Sequence, residues 1–204
     1  MVYFILRKTL FPIVKAIFVK ETIGLEHLPE KGPLIITVNH SSYIDPVLLG
    51  IVLVEHLNKQ VHFVAMKPLS KCWYVRLLIG KYFKSIFVNG VVTEAVEKLK
   101  QGGILVIFPE GGRTHDGELQ KIENTGTAVM ANLSNAKVIP AAISGTFELW
   151  PRYKKVPSLR KIVTIEFGKA KFFKAKKPTR KQMIDFIRTI MSDIAKLCKK
   201  RYYY

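Results

Sequence analysis

The chain has 204 residues, 49% of them apolar, which suits one domain with a complete core and excludes a disordered protein. It carries +18, from 33 Lys/Arg against 15 Asp/Glu, and residues 151–204 hold 17 basic and 3 acidic side chains, or +14 of that total. The asymmetry points to a polyanionic partner (anionic lipid headgroups, nucleic acid or an acidic protein), and two isolated cysteines, Cys72 and Cys198, argue against a disulfide framework or a zinc site.

The first twenty residues are apolar but interrupted by Arg7, Lys8, Lys15 and Lys20. No uncharged run reaches the roughly 18 residues that a spanning helix needs, and no small-residue cleavage site follows. Phe4, Phe11 and Phe18 recur at heptad spacing, with Leu10, Ile13, Val14 and Ile17 near the same arc and Lys8 and Lys15 on another side. Pro12 is predicted to bend the segment or divide it into two short helices. Two readings stand together: an interfacial helix lying among lipid headgroups, or a core-packing helix with a solvated basic edge. The overall charge tilts the balance toward the membrane, so residues 1–21 are set apart as an N-terminal membrane-interfacial segment and 22–204 as a single domain.

A turn-rich stretch with Gly24, Pro29, Gly32 and Pro33 leads into a buried β-branched run at 34–38. Directly behind it comes Asn39-His40-Ser41-Ser42-Tyr43-Ile44-Asp45-Pro46. The histidine thus stands at the end of a strand, where open α/β sheets place their chemistry. Asp45, just before Pro46, suits the first turn of a helix over 46–57. With the loop folded back, its carboxylate accepts a hydrogen bond from one ring nitrogen of His40, fixing the tautomer and raising the basicity of the other nitrogen. The plain alternative is a helix cap beside a loop histidine.

Further along, 61–66 reads as a strand, 73–79 as a helix, 83–88 as a strand and 93–99 as a short helix stopped by Gly102-Gly103. The run 104–108 is another buried strand, followed by Pro109-Glu110-Gly111-Gly112-Arg113-Thr114. Glycines there permit close backbone approach, and Arg113 offers a planar fork for phosphate or carboxylate. Two polar loops behind two buried strands support a site more strongly than either alone. Residues 126–133 read as a helix, 137–143 as a strand and 161–167 as an edge strand. The last helix runs from Thr179, as N-cap, to about residue 200. Its face of Met183, Ile184, Ile187, Ile190, Met191, Ile194 and Leu197 is expected to pack on the sheet. Strands alternating with helices predict an α/β fold: a mixed, largely parallel sheet covered by helices.

Asn39-His40-x4-Asp45 followed by Phe108-Pro109-Glu110-Gly111-Gly112-Arg113 resembles the glycerolipid acyltransferase family, above all its lysophosphatidate acyltransferase branch. Ile23-Gly24-Leu25-Glu26-His27-Leu28-Pro29 and Val138-Ile139-Pro140-Ala141 fit as well, so the likeness extends from about residue 23 to 168. It implies acyl transfer from a thioester, acyl-CoA or acyl-carrier protein, to a lysophospholipid hydroxyl, most naturally that of 1-acylglycerol-3-phosphate. His40 would be the general base, oriented by Asp45. Glu110, Gly111, Gly112 and Arg113 would hold the acceptor, with Asn39, Lys84 and Asn89 also at the substrate. No Gly-x-Ser-x-Gly elbow supplies a nucleophile, and Ser41 and Ser42 are read as loop structure.

Three positions depart from the family pattern. Asn89 stands where an arginine usually closes the strand segment, Asn124 where a lysine commonly precedes a glycine, and Gly112 where threonine is more usual. Nearby Arg76, Lys81, Lys84 and Lys121 are candidate substitutes for the two missing cations; otherwise the acceptor is a different, non-phosphate lipid. A CoA-independent phospholipid transacylase would use the same motifs. Such chemistry needs no metal or redox cofactor. The expected partners are anionic membrane lipids and an acidic acyl carrier protein, with the enzyme peripheral or monotopic on the cytoplasmic face. Nucleic acid is not expected, because no helix-turn-helix, zinc finger or RRM signature accompanies the charge. The rival of another class is an inactive basic lipid- or nucleic-acid-binding protein.

Overall fold

The structure, a computed structural model, describes residues 8–65, 85–87, 91–122 and 124–203. Within them seven strands form one sheet: β1 Val19–Ile23, β2 Leu34–Val38, β3 Val61–Ala65, β4 Ser85–Phe87, β5 Ile104–Ile107, β6 Lys137–Ser144 and β7 Val163–Phe167. The helices are α1 Leu10–Phe18, α2 Asp45–Leu57, α3 Val91–Lys100, α4 Gly126–Ser134, the single turn α5 Thr146–Leu149 and α6 Arg180–Leu197. Strand order is β1-β7-β6-β2-β5-β3-β4. Every neighbouring pair is parallel except β6 with β7. The sheet is thus mixed and largely parallel, as the alternation of elements predicts.

β2 lies at the centre with all five residues buried, which is why it reads as an unbroken apolar run. Its side chains alternate between two cores. Leu34, Ile36 and Val38 meet Leu48, Leu49 and Leu53 of α2 on one face, while Ile35 faces α3, α4 and α6 through residues such as Leu99, Met130 and Ile190. Helix α2 is buried nearly all round, as a helix held between the sheet and a further helix must be. That outer helix is α1, whose Phe11 and Phe18 are buried while Leu10, Ile13 and Ile17 face outward at 36%, 56% and 38% exposure. Lys15 reaches across to Glu55 on α2 at 2.7 Å. Helix α6 opens with the expected cap: the Thr179 hydroxyl accepts from Gln182 N and the Gln182 side chain accepts from Thr179 N.

The N-terminal reading needs correction. Strand β1 runs through the boundary drawn at residue 21, so the segment joins the sheet and is not a separate appendage. Because β1 pairs with β7, the latter is an interior strand and β1 takes the edge instead. Val19-Lys20-Glu21-Thr22-Ile23 hides its strand character behind two charges, a composition typical of protected edges. Helix α1 begins at Leu10 after a turn at Thr9, and Pro12 lies in its first turn, where its missing N–H has no acceptor within α1 to lose. The helix expected at 73–79 and Cys72 lie outside the described residues.

Candidate active site

Parallel pairing of β2 with β5, with Thr37 opposite Ile107, brings the loops that follow the two strands side by side. His40 and the 108–114 loop therefore meet at the carboxyl edge of the sheet. The ring of His40 stacks on Phe108 with centroids 4.1 Å apart, and Phe108 in turn faces Phe63. Nδ1 donates to Asp45 Oδ2 at 2.8 Å. The same oxygen accepts Ser41 N and Ser42 N, each at 2.7 Å, and Asp45 is fully buried. Asp45 thus fastens the ring and shapes the loop at once, and the dyad expected from spacing is present as geometry.

The backbone of His40 is held just as firmly. Its N–H donates to Glu110 Oε1 at 2.8 Å, and its carbonyl accepts from Thr114 N at 2.9 Å. Glu110 Oε2 accepts from Gln120 N at 2.9 Å. Both oxygens of Glu110 are therefore occupied by backbone, and the residue expected at the acceptor acts here as a clamp between the two loops. Burial pushes its carboxyl up to about 7 from 4.5, against the downward pull of the Gln120 and His40 N–H groups; Asp45 adds to the rise and Lys200 opposes it. Among the described residues Nε2 of His40 makes no hydrogen bond, so that nitrogen alone is left to act.

Arg113 lies over the Tyr43 ring, 3.3 Å from its centroid, and its Nη1 is buried with no hydrogen-bond partner among the described residues. A guanidinium stacked in this way keeps donors for an anion. Gly111 has φ 72°, a conformation that favours glycine; at Gly112 there is open space for a side chain. The close backbone approach expected of this pair is not made by any described residue.

Several expectations change. Asn39 is not turned to a substrate: its Nδ2 donates to the Ile143 carbonyl and its Oδ1 accepts from Ile143 N, both at 2.9 Å, locking the end of β2 to β6. Asn124 donates to the Pro109 carbonyl and so steadies the second loop. Ser41 Oγ pairs with Thr146 and Ser42 Oγ donates to the Trp150 carbonyl, which bears out their reading as loop structure. Lys84 and Asn89, with Arg76 and Lys81, lie outside the described residues. Sequence reading missed Thr114, Gln120 and Tyr43, which act through backbone or ring face and leave no motif signal. Among the described residues no cluster of His, Cys, Asp or Glu is arranged to hold a metal.

The Acyltransferase family model matches residues 20–144. A 1-acyl-sn-glycerol-3-phosphate acyltransferase of Bacillus subtilis is 30% identical over 129 residues, covering 59% of this chain and 60% of that protein. One of Pseudomonas aeruginosa is 26% identical over 147 residues, 70% of this chain and 56% of that protein. The chain thus spans a little over half the length of these relatives. Among solved structures, the 1-acyl-sn-glycerophosphate acyltransferase PlsC of Thermotoga maritima superposes with TM-score 0.66 at 22% identity, covering 97% of this chain and 83% of that one, and so shares the fold.

Proposed function

The chain belongs to the Acyltransferase family, and from that premise we propose that it moves a fatty acyl group from a thioester to the hydroxyl of 1-acylglycerol-3-phosphate. The carrying observation is the immobilised His40, with ring and backbone fixed by Asp45, Phe108, Glu110 and Thr114 and only Nε2 unengaged. In the step derived from this geometry, Nε2 takes the acceptor's hydroxyl proton as the oxygen attacks the thioester carbonyl. The buried Asp45 carboxylate stabilises the imidazolium so formed. The tetrahedral intermediate collapses with cleavage of the C–S bond, and the imidazolium returns its proton to the departing thiolate. No acyl-enzyme is required, in keeping with the engagement of both neighbouring serine hydroxyls. Arg113 binds the acceptor phosphate, a role supported by its buried, unpaired Nη1.

The donor in this scheme is acyl-CoA or acyl-carrier protein, and the chemistry calls for no metal or redox cofactor. Lipidic substrates suit an enzyme seated on the cytoplasmic face of a membrane. The seating proposed is monotopic, supported by the outward Leu10, Ile13 and Ile17 of α1, which would lie in the interface; among the described residues no helix is long and apolar enough to cross a membrane. A second reading rests on Asn124: its amide is spent on Pro109 and brings no charge, which favours an acceptor without phosphate.

One assay tests both. Thiol release is followed with acceptors that carry and lack phosphate, for the parent and for His40→Ala. The expected result is phosphate-dependent turnover that drops by roughly 10²–10⁴-fold in the variant, with an unaltered circular dichroism spectrum. Equal rates in parent and variant would exclude His40 as the base; indifference to phosphate would favour the second reading.

A further inference from the structure

The sheet reverses once, between β6 and β7, and the reversal decides what lies next to the chemistry. β7 runs antiparallel to β6, and β1 runs parallel to β7. Both strands therefore start at the edge of the sheet where β2, β5 and β6 finish. The segments that feed them, α1 and the loop 150–162, consequently lie on the side of His40.

That loop has an unusual surface. Residues 151–161 contain five basic and no acidic side chains. Tyr153, Val156 and Leu159 stand 70%, 70% and 76% exposed among exposed Lys154, Lys155 and Arg160. Three large apolar side chains pointing outward from one short loop mark a contact surface more than ordinary solvated chain. The loop is also tied down. Trp150 Nε1 donates to the Lys154 carbonyl at 3.0 Å, Ser158 N to the Leu149 carbonyl at 2.9 Å and Arg152 to the Arg113 carbonyl at 3.5 Å. With Ser42 Oγ bound to the Trp150 carbonyl at 2.7 Å, its base touches both motif loops.

We infer that loop 151–161 docks on an anionic bilayer leaflet. Val156 and Leu159 enter the boundary between headgroups and acyl chains, the lysines and arginines meet lipid phosphates, and the open side of His40 is thereby held against the surface that carries its acceptor. The inference rests on the acyl-transfer reading for its purpose. Interleaved apolar and cationic side chains match a bilayer interface, where both kinds of group find partners; nucleic acid would satisfy the charges and leave the apolar groups in water.

The test is cosedimentation of the full chain with vesicles of phosphatidylcholine alone and with vesicles in which half the lipid is phosphatidylglycerol. The variants are Lys154→Gln with Lys155→Gln, and Val156→Ser with Leu159→Ser, each checked for an unchanged melting profile. Each cation near such a surface contributes roughly fivefold in partitioning, so the charge variant should lose about 25-fold on anionic vesicles. The apolar variant should lose roughly tenfold on both kinds. Turnover of a water-dispersed short-chain acceptor should be unaffected in both, while turnover of vesicle-borne acceptor falls with binding. Variants that bind vesicles like the parent overturn the inference, and they do so outright if the charge variant instead loses affinity for an acyl-carrier-protein thioester or for duplex DNA. Loop-dependent vesicle binding by a parent that turns over no lysophospholipid would support the docking surface and count against acyl transfer alone.

Discussion

Glu110→Gln preserves the shape of the side chain, removes its charge and exchanges one acceptor oxygen for an N–H donor. The carboxyl of Glu110 is raised from 4.5 to about 7, chiefly by burial. An acid raised in this way binds its proton more tightly in the folded than in the unfolded chain. Its effect on stability is therefore absent below about pH 4.5, grows as the pH climbs and is complete above about 7, as a destabilising contribution. At 1.36 kcal/mol per unit the shift amounts to about 3 kcal/mol. Glutamine lacks this titration but leaves a donor facing either His40 N or Gln120 N, a fixed cost of about 1–3 kcal/mol. The difference in stability between variant and parent should therefore move in favour of the variant by about 3 kcal/mol from pH 4.5 to pH 8. Urea unfolding followed by circular dichroism across that range measures it. Thioester turnover should meanwhile fall in the variant, because the backbone of His40 loses a charged acceptor. A difference that is flat with pH, or that moves toward the parent, would refute the assignment of Glu110 as a buried clamp.

Asp45→Asn keeps an oxygen for Ser41 N and Ser42 N but removes the charge that steadies the imidazolium; turnover should fall by roughly 10²–10⁴-fold with the far-ultraviolet spectrum preserved, as a steady-state assay with parallel circular dichroism will read. Asn39→Ala strips the buried N–H and carbonyl of Ile143 of their partners, and urea unfolding should report a loss of roughly 1–3 kcal/mol. Its kcat should fall more than its KM rises, since Asn39 sets the place of His40 and does not touch the acceptor.

Much of this was legible because each motif sits directly behind a run that is buried on both faces. Leu34–Val38 and Ile104–Ile107 announce themselves as central strands by being apolar throughout, and parallel pairing then sets their following loops together. The direction in which a carboxylate points leaves no such trace. Glu110 as ligand, cap or clamp has the same residue type at the same spacing, and only the Gln120 and His40 N–H groups decide among them. Asn39 is a similar case, since its partner Ile143 lies 104 residues away. β1 escaped because five residues with two charges give too short a period to read, and β7 passed for an edge strand because the chain that covers it comes from the other end of the sequence.

The threefold acceptance by Asp45 Oδ2 has a consequence for where charge can rest. The ring N–H and two backbone N–H groups all bond most strongly to an oxygen that keeps its negative charge, so a proton gained at Nε2 leaves the imidazole cationic and is not passed on through Nδ1 to the aspartate. During each turnover the cation stays on the ring, a counter-ion's distance from its carboxylate, ready to be handed to whatever group next needs a hydrogen.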